Sequence, residues 1–212
     1  DTMHYYIADC KFFGDSLNAK VDKRGFESVE EMNEYMIQQW NKKVRKNDEV
    51  VILGDLSWGK DDETNELLNR LNGRLFLIIG NHDRYLKSKD FHTERFEWIK
   101  SYEELSDNNR KVILSHYPIM FYNMQYRLNK EGQPKTYMLY GHVHDTHDQR
   151  LIEQFQDITT STIVQNPGGE EVHIPCNMIN CFCMYSDYTP LTLDEWIACD
   201  QKRKAVSTKL SK

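Results

Sequence analysis

The chain alternates between short apolar runs and segments whose apolar residues recur at helical spacing. This pattern predicts strands and helices in alternation, as in an α/β protein. Residues 48–55 (DEVVILGD) and 74–81 (RLFLIIGN) each contain an unbroken apolar run, VVIL and LFLII, which indicates strands buried on both faces. Further strands are predicted over residues 4–9, 111–118, 136–144 and 178–185.

Capping sequences mark where the helices begin. Ser28 and Glu31 form a capping box that opens a helix over residues 28–46, and Thr192 and Glu195 open the last helix in the same way. A further helix is predicted over residues 61–73, with acidic residues in its first turn and a glycine at its end.

The length of 212 residues suits one large domain, and no internal repeat or low-complexity linker divides the chain. We predict a single α/β domain over residues 1–200. Residues 201–212 are polar and basic, and they are expected to form a flexible tail.

The net charge of −6 disfavours a long nucleic acid as a partner, because lysine and arginine drive the binding of its phosphates. No apolar stretch approaches the length of a membrane span, and we see no signal peptide. The five cysteines include Cys181 and Cys183, which a strand would place on one face. A thiol metal site is possible there, but buried free cysteines in a reducing, cytoplasmic setting are favoured.

The apolar runs share one feature, which is that each ends in residues able to bind a metal ion. Loops after neighbouring strands converge at one edge of an open α/β sheet, so these residues are expected to meet there. A mixture of carboxylate, amide and imidazole groups suits manganese, iron or zinc better than calcium or magnesium. The residues are Asp9, Asp55, Asn81, His82, His116, His142 and His144.

The series of Asp9, GD, GNHD, SHYP and GHVH resembles the calcineurin-like metallophosphoesterase family, in particular its small single-domain members. The resemblance covers most of the chain. It implies a sandwich of two mixed β-sheets flanked by helices, with a two-metal centre at one edge. It also implies that Asp55 bridges both ions. The other ligands would be Asn81, His116 and His142 at one site, and Asp9 and His144 at the other.

Four residues that follow predicted ligands are candidates for roles near the substrate. The resemblance places His82 on the leaving-group side, where a histidine can stabilise the transition state or protonate the leaving oxygen. Asp83 either orients His82 or caps a helix. Arg84 and Tyr117 either contact the substrate phosphate or have structural roles.

The first motif departs from the D-x-H of the family, because Lys11 stands where the histidine is expected, and Gly14 stands where short members often carry another. Two alternatives follow. Asp9 still binds an ion in a weakened first site, or the Lys11 ammonium occupies that region as a fixed positive charge. A simple Asp9–Lys11 salt bridge is the structural explanation for both residues.

The expected function is hydrolysis of a phosphomonoester or phosphodiester by metal-activated water, with one or two divalent ions of manganese, iron or zinc. The length of the chain leaves little room for a recognition domain, so a small phosphorylated substrate is expected. The alternative is a non-catalytic or single-metal relative that acts as a binding or scaffold protein, with Lys11 as its best evidence.

Overall fold

A computed structural model describes residues 2–210. The first sheet contains four parallel strands in the order β1-β2-β3-β4. Their bounds are His4–Ile7 for β1, Glu49–Ile52 for β2, Arg74–Ile78 for β3 and Phe96–Lys100 for β4. The three strands that the sequence predicts in this half are all present, whereas β4 was not predicted.

The second sheet has the order β10-β7-β6-β5 and is mixed, because only β5 and β6 run antiparallel. The bounds are Tyr102–Asp107 for β5, Arg110–Ser115 for β6, Thr136–Tyr140 for β7 and Met178–Asn180 for β10. A separate hairpin pairs β8 (Ile163–Gln165) with β9 (Glu171–His173). The expected sandwich of two sheets is confirmed, with the correction that the first sheet is parallel rather than mixed.

Successive side chains of the central strands point to opposite faces of their sheet, as in any β-strand. Tyr6, Val51 and Ile78 pack with Leu114 and Leu139 in one buried cluster, which lies between the sheets. The other faces of the sheets form separate clusters with the helices. Strands covered on both faces explain why the sequence shows continuous apolar runs there.

Four α-helices cover the sheets, and short helical turns occupy several loops. The α-helices are α1 (Val29–Lys43), α2 (Asp61–Arg70), α3 (His147–Ser161) and α4 (Leu193–Leu210). The short segments are a π-helix at Leu17–Val21 and 3₁₀ turns at Arg84–Lys87, Thr93–Arg95 and Cys183–Ser186. In the part of the chain that the structure describes, no helix has the length and apolar composition needed to cross a bilayer.

The predicted caps are present in the structure. The backbone N–H of Glu31 donates to Ser28 Oγ at 3.0 Å, while the Glu31 carboxylate accepts from the N–H of Glu27. At α4, Thr192 and Glu195 bond reciprocally through side chain and backbone. An N-cap of this kind contributes about 1 kcal/mol to helix stability.

Two predictions about the end of the chain are wrong for the residues described. The segment 201–210 continues α4 instead of forming a flexible tail, because Arg203 and Lys204 are held by ion pairs with acidic neighbours. Residues 211–212 lie outside the described part of the chain. The strand predicted at 178–185 ends at Asn180, so Cys181 and Cys183 enter different buried clusters rather than one face.

Candidate metal centre

Two carboxylates follow strands β1 and β2 at the carboxyl edge of the first sheet. Asp9 is 0% exposed and Asp55 is 1% exposed. Both have left-handed backbone, with φ of 59° and 52°. This region is uncommon for residues other than glycine, and strained backbone of this kind clusters at functional sites. Burial raises the pKa of Asp9.

The two oxygens of Asp55 have different surroundings. Oδ1 accepts the backbone N–H of His82 at 2.8 Å, while Oδ2 lies 3.5 Å from Lys11 Nζ and 3.5 Å from His116 Nε2. Burial alone would raise the pKa of Asp55, but the adjacent His116 imidazole, the backbone N–H of His82 and the charge of Lys11 lower it to about 2. The carboxylate is therefore ionised at neutral pH.

Three of the predicted ligands meet beside Asp55. The Oδ1 atom of Asn81 lies 3.0 Å from His116 Nε2 and 3.3 Å from His142 Nδ1. His116 Nδ1 donates to the carbonyl of Leu53 at 2.8 Å, which directs Nε2 of the ring towards the centre. Burial lowers the pKa of His142 and so favours the neutral imidazole that binds metal ions.

The last predicted ligand, His144, is 5% exposed and lies against Asp9, with 3.7 Å between Nε2 and Oδ1. Its other ring nitrogen, Nδ1, is 2.7 Å from Oδ1 of Asp22. Arg24 binds the second oxygen of Asp22 and also donates to the backbone carbonyls of Asp9 and Cys10. Arg24 and Asp22 therefore fix the orientation of His144, as outer partners of metal-binding histidines do.

Sequence reasoning missed Asp22 and Arg24. They lie in a loop, VDKRG, that carries no strand end and no recognisable motif. The only local signal is an acidic residue two positions before a basic one, a pattern that is common on protein surfaces. Their burial at the centre depends on tertiary contacts with His144 and the β1 loop.

Lys11 is 6% exposed and forms its ion pair with Asp55 rather than with Asp9. The structural alternative, an Asp9–Lys11 salt bridge, is therefore not the ion pair that Lys11 forms. Strand β1 ends at Ile7, and Lys11 has a φ of 47°, so the alternation of side chains in an extended strand does not apply here. The ammonium is directed into the centre by this left-handed turn.

Two glycines at the strand ends leave space for the carboxylates. A Cβ atom on Gly80 would lie 2.2 Å from Asp55 Oδ1, and one on Gly141 would lie 2.6 Å from Asp9 Oδ2. Both distances are far below van der Waals contact, so no larger residue fits at either position without displacing a carboxylate.

The prediction that Asp83 orients the His82 ring is wrong, because both Asp83 oxygens bind other donors. They accept the backbone N–H groups of Asp55, Leu56 and Gly80 and the hydroxyl of Tyr85. Asp83 also makes no side-chain cap at the following 3₁₀ turn. It is a positioning residue that ties the Asp55 loop to the Gly80 loop.

His82 and Arg84 border a cavity next to Asp55. The cavity of about 160 Å³ is also lined by Ser57, Trp58 and Gly59. The His82 and Trp58 rings are 5.2 Å apart, and burial lowers the pKa of His82. Tyr117 lies elsewhere, with its ring 4.6 Å from that of His142.

The donor set fits a divalent metal ion. Among the residues described, Asp9 Oδ1 and Asp55 Oδ2 are buried and accept no hydrogen bond. Lys11, His116 and His144 face these oxygens at 3.5–3.7 Å without hydrogen-bonding to them. A buried carboxylate oxygen without a hydrogen bond is costly, and a metal ion between these groups would compensate both atoms. Ligand atoms of Asp9, Asp55 and His116 all lie within 4.8 Å of one another. Carboxylate, imidazole and amide groups together suit a first-row transition metal.

Comparison with known proteins agrees with this geometry. Residues 33–179 match the calcineurin-like phosphoesterase superfamily domain. The chain is 32% identical over 206 residues to an uncharacterised protein of Methanocaldococcus jannaschii, a match that covers 96% of this chain and 94% of that protein. It is 33% identical over 132 residues to the Gene 66 protein of Mycobacterium phage D29, covering 52% of this chain and 64% of that protein.

A crystal structure of a protein of unknown function from Aquifex aeolicus has a similar fold, with a TM-score of 0.63 and 23% identity. The similarity covers 92% of this chain and 97% of that one. The match over residues 33–179, together with the strand-end ligands, defines the class: this chain belongs to the calcineurin-like phosphoesterase superfamily.

Proposed function

We propose that this protein is a metal-dependent phosphoesterase that hydrolyses a small phosphomonoester or phosphodiester. The observation that carries the proposal is the pair of buried oxygens without hydrogen-bond partners, Asp9 Oδ1 and Asp55 Oδ2, which face histidines at one sheet edge. A buried carboxylate oxygen without a hydrogen bond costs free energy, and a metal cation is a partner that matches its charge.

One or two divalent ions, of manganese, iron or zinc, would be held by the predicted ligands. Such ions polarise a phosphoryl oxygen and activate water at neutral pH. The ligands would be Asp9, Asp55, Asn81, His116, His142 and His144.

The remaining side chains of the centre have roles that need no ion. His82 borders the cavity, and its lowered pKa favours the neutral ring, whose N–H can donate to the leaving oxygen. The Lys11 ammonium and the exposed Arg84 guanidinium supply positive charge for phosphate oxygens, as a point charge and as a planar donor respectively.

A second candidate is a protein that binds one ion and a phosphate without turning it over. The observation that favours it is Lys11 Nζ, which lies 3.5 Å from the carboxylate expected to bridge two ions. A resident ammonium there takes part of the space and the attraction that a second cation needs.

Hydrolysis of a generic aryl phosphodiester and an aryl phosphomonoester, with and without added manganese, separates the two candidates. The enzyme is expected to cleave at least one ester, to lose activity with a chelator and to regain it with metal. Stoichiometric metal binding with no cleavage of either ester would favour the binding protein. Cleavage that survives chelation would contradict the metal-dependent mechanism.

A further inference from the structure

The cavity beside His82 is lined by an aromatic side chain, which the binding of a phosphate alone does not require. Trp58 is 39% exposed and lines the cavity, although large aromatic side chains are costly to leave in water. The indole is held in place, since the His82 ring lies 5.2 Å away at a tilt of 57° and Lys11 Nζ lies 5.2 Å from the indole centroid.

The rest of the wall is shaped to leave room beside the indole. A Cβ atom on Gly59 would lie 2.7 Å from the Phe13 ring, so the close packing of this part of the wall on Phe13 requires a glycine. Ser57 Oγ bonds to Thr64 and to the backbone N–H of Gly59, and it therefore does not act as a free polar group towards a ligand.

Arg84 is the charged residue among those that line the cavity. The Arg84 guanidinium is exposed at the border of the cavity and forms no hydrogen bond or ion pair with any residue that the structure describes, whereas the Arg84 backbone N–H donates to the carbonyl of His82. Lys11 lies on the side of the metal centre. A ligand that spans the cavity and the centre is therefore expected to carry a planar apolar part and an anionic part.

From this geometry we infer that the cavity binds a planar aromatic ring carried by the phosphate ester. The phosphate end of this inference rests on the proposed function, whereas the ring end rests on Trp58, His82 and Arg84. A volume of about 160 Å³ is smaller than ligand sites for drug-sized molecules, so it matches one ring rather than an extended group. The substrate class is a phosphate ester of an aryl group or a single-ring base.

Binding of three phosphonates to the full chain with manganese present tests the inference by calorimetry. Phenylphosphonate, cyclohexylphosphonate and methylphosphonate share one anionic group, and their carbon–phosphorus bonds resist hydrolysis. We expect phenylphosphonate to bind about 10-fold more tightly than methylphosphonate, the scale of one stacked ring, with cyclohexylphosphonate in between.

Two substitutions at Trp58 separate stacking from simple apolar contact. Trp58→Leu is expected to remove the preference for the phenyl group while the affinity for methylphosphonate stays the same. Trp58→Phe is expected to keep most of the preference for the phenyl group. Phe121→Leu is the matched control, because Phe121 is 70% exposed but packs on Phe155 instead. Circular dichroism establishes that each variant is folded.

Several results would overturn the inference: no binding of phenylphosphonate, equal affinity for the phenyl and methyl compounds, equal affinity for the phenyl and cyclohexyl compounds, or a phenyl preference that survives Trp58→Leu. These outcomes are independent of turnover. Metal-dependent hydrolysis without a ring preference would contradict the ring site and leave the proposed function intact. A ring preference without metal binding or hydrolysis would remove the proposed function and leave the ring site.

Discussion

Asp55 is the residue on which the contacts of the centre converge. Its backbone N–H is held by Asp83, and one of its oxygens accepts from His82 while the other faces Lys11 and His116. A side chain fixed in this way cannot rotate to find another donor. Its second oxygen therefore stays directed at Lys11 and His116, and we expect these neighbours to determine how many metal ions it binds.

His82→Ala tests the proton-transfer role of His82. The variant is expected to keep its fold and metal content but to lose about 10²–10⁴-fold in turnover, the usual scale of general acid–base catalysis. Steady-state hydrolysis and elemental analysis of one preparation measure both quantities. His92→Ala, at an exposed histidine of the same segment, is the control. A loss of metal that matches the loss of activity would make His82 a ligand instead.

Lys11→His tests whether the ammonium replaces an ion. The wild type is expected to bind one ion tightly and a second weakly or not at all, because Lys11 Nζ already neutralises Asp55 Oδ2. The histidine variant loses this charge and gains an imidazole, so its stoichiometry is expected to rise towards two ions per chain. Calorimetric titration with manganese measures the change.

Lys11→Met is the control, because it removes the charge without adding a metal ligand. This variant is expected to bind one manganese ion per chain, as the wild type does. If Lys11 only stabilises the fold, both variants unfold at a lower temperature with no gain in metal, since breaking a buried pair leaves an unpaired charge. Two tightly bound ions in the wild type would also contradict the assignment.

At the scale of secondary structure, the centre is built from loops that follow strands β1, β2, β3, β6 and β7. Asp9, Asp55, His142 and His144 all have positive φ values, between 49° and 72°. The loops after β1, β2 and β7 therefore turn sharply at the ligand itself, and in these loops the turn rather than the strand aims the side chain. These turns hold because neighbouring backbone groups pack tightly against the carboxylates.

Gly141→Ala tests this close packing at the end of β7. A methyl group there would lie 2.6 Å from Asp9 Oδ2, so the carboxylate must move and metal affinity is expected to fall at least about 10-fold, the scale for displaced ligand geometry. Calorimetry with manganese measures the loss. Gly168→Ala is the matched control, since the nearest contact of its Cβ would be 3.4 Å. Equal affinities for the two variants would contradict the packing argument.

The sequence predicts the elements of this fold better than their arrangement. Buried strands and capped helices have strong local signals, whereas edge strands β4 (FEWIK) and β5 (YEELSD) mix charged and apolar residues without a regular period and are not predicted. The stacking of two sheets came from the resemblance and not from periodicity. The network of Asp22 and Arg24 and the four donors on Asp83 depend on contacts between distant segments, which no local pattern specifies.

At the scale of the whole molecule, the centre joins the two sheets. Asp9, Asp55 and Asn81 follow strands of the first sheet, whereas His116 and the histidines of GHVH follow strands of the second. The backbone N–H of His142 donates to Asp9 Oδ2 across this junction. An ion bound here links both halves, so binding is expected to add to the stability of the fold.

The stability gain is a prediction for the whole chain. An ion present at about 100 times its dissociation constant adds about 2.7 kcal/mol to the free energy of unfolding. For a domain of this size that corresponds to a rise in melting temperature of about 5–10 °C. Thermal unfolding by circular dichroism with manganese and with a chelator measures it. An unchanged melting temperature would mean that no ion links the sheets.

Metal binding by the purified wild type and by Asp55→Asn tests the central claim most directly. Elemental analysis and calorimetry with manganese, iron and zinc are expected to show about one tightly bound ion per wild-type chain. The variant keeps the size of the side chain but loses the charge that faces Lys11 and His116, so its affinity is expected to fall by at least about 10-fold. A wild type that binds none of the three metals, or a variant that binds them equally well, would contradict the metal centre.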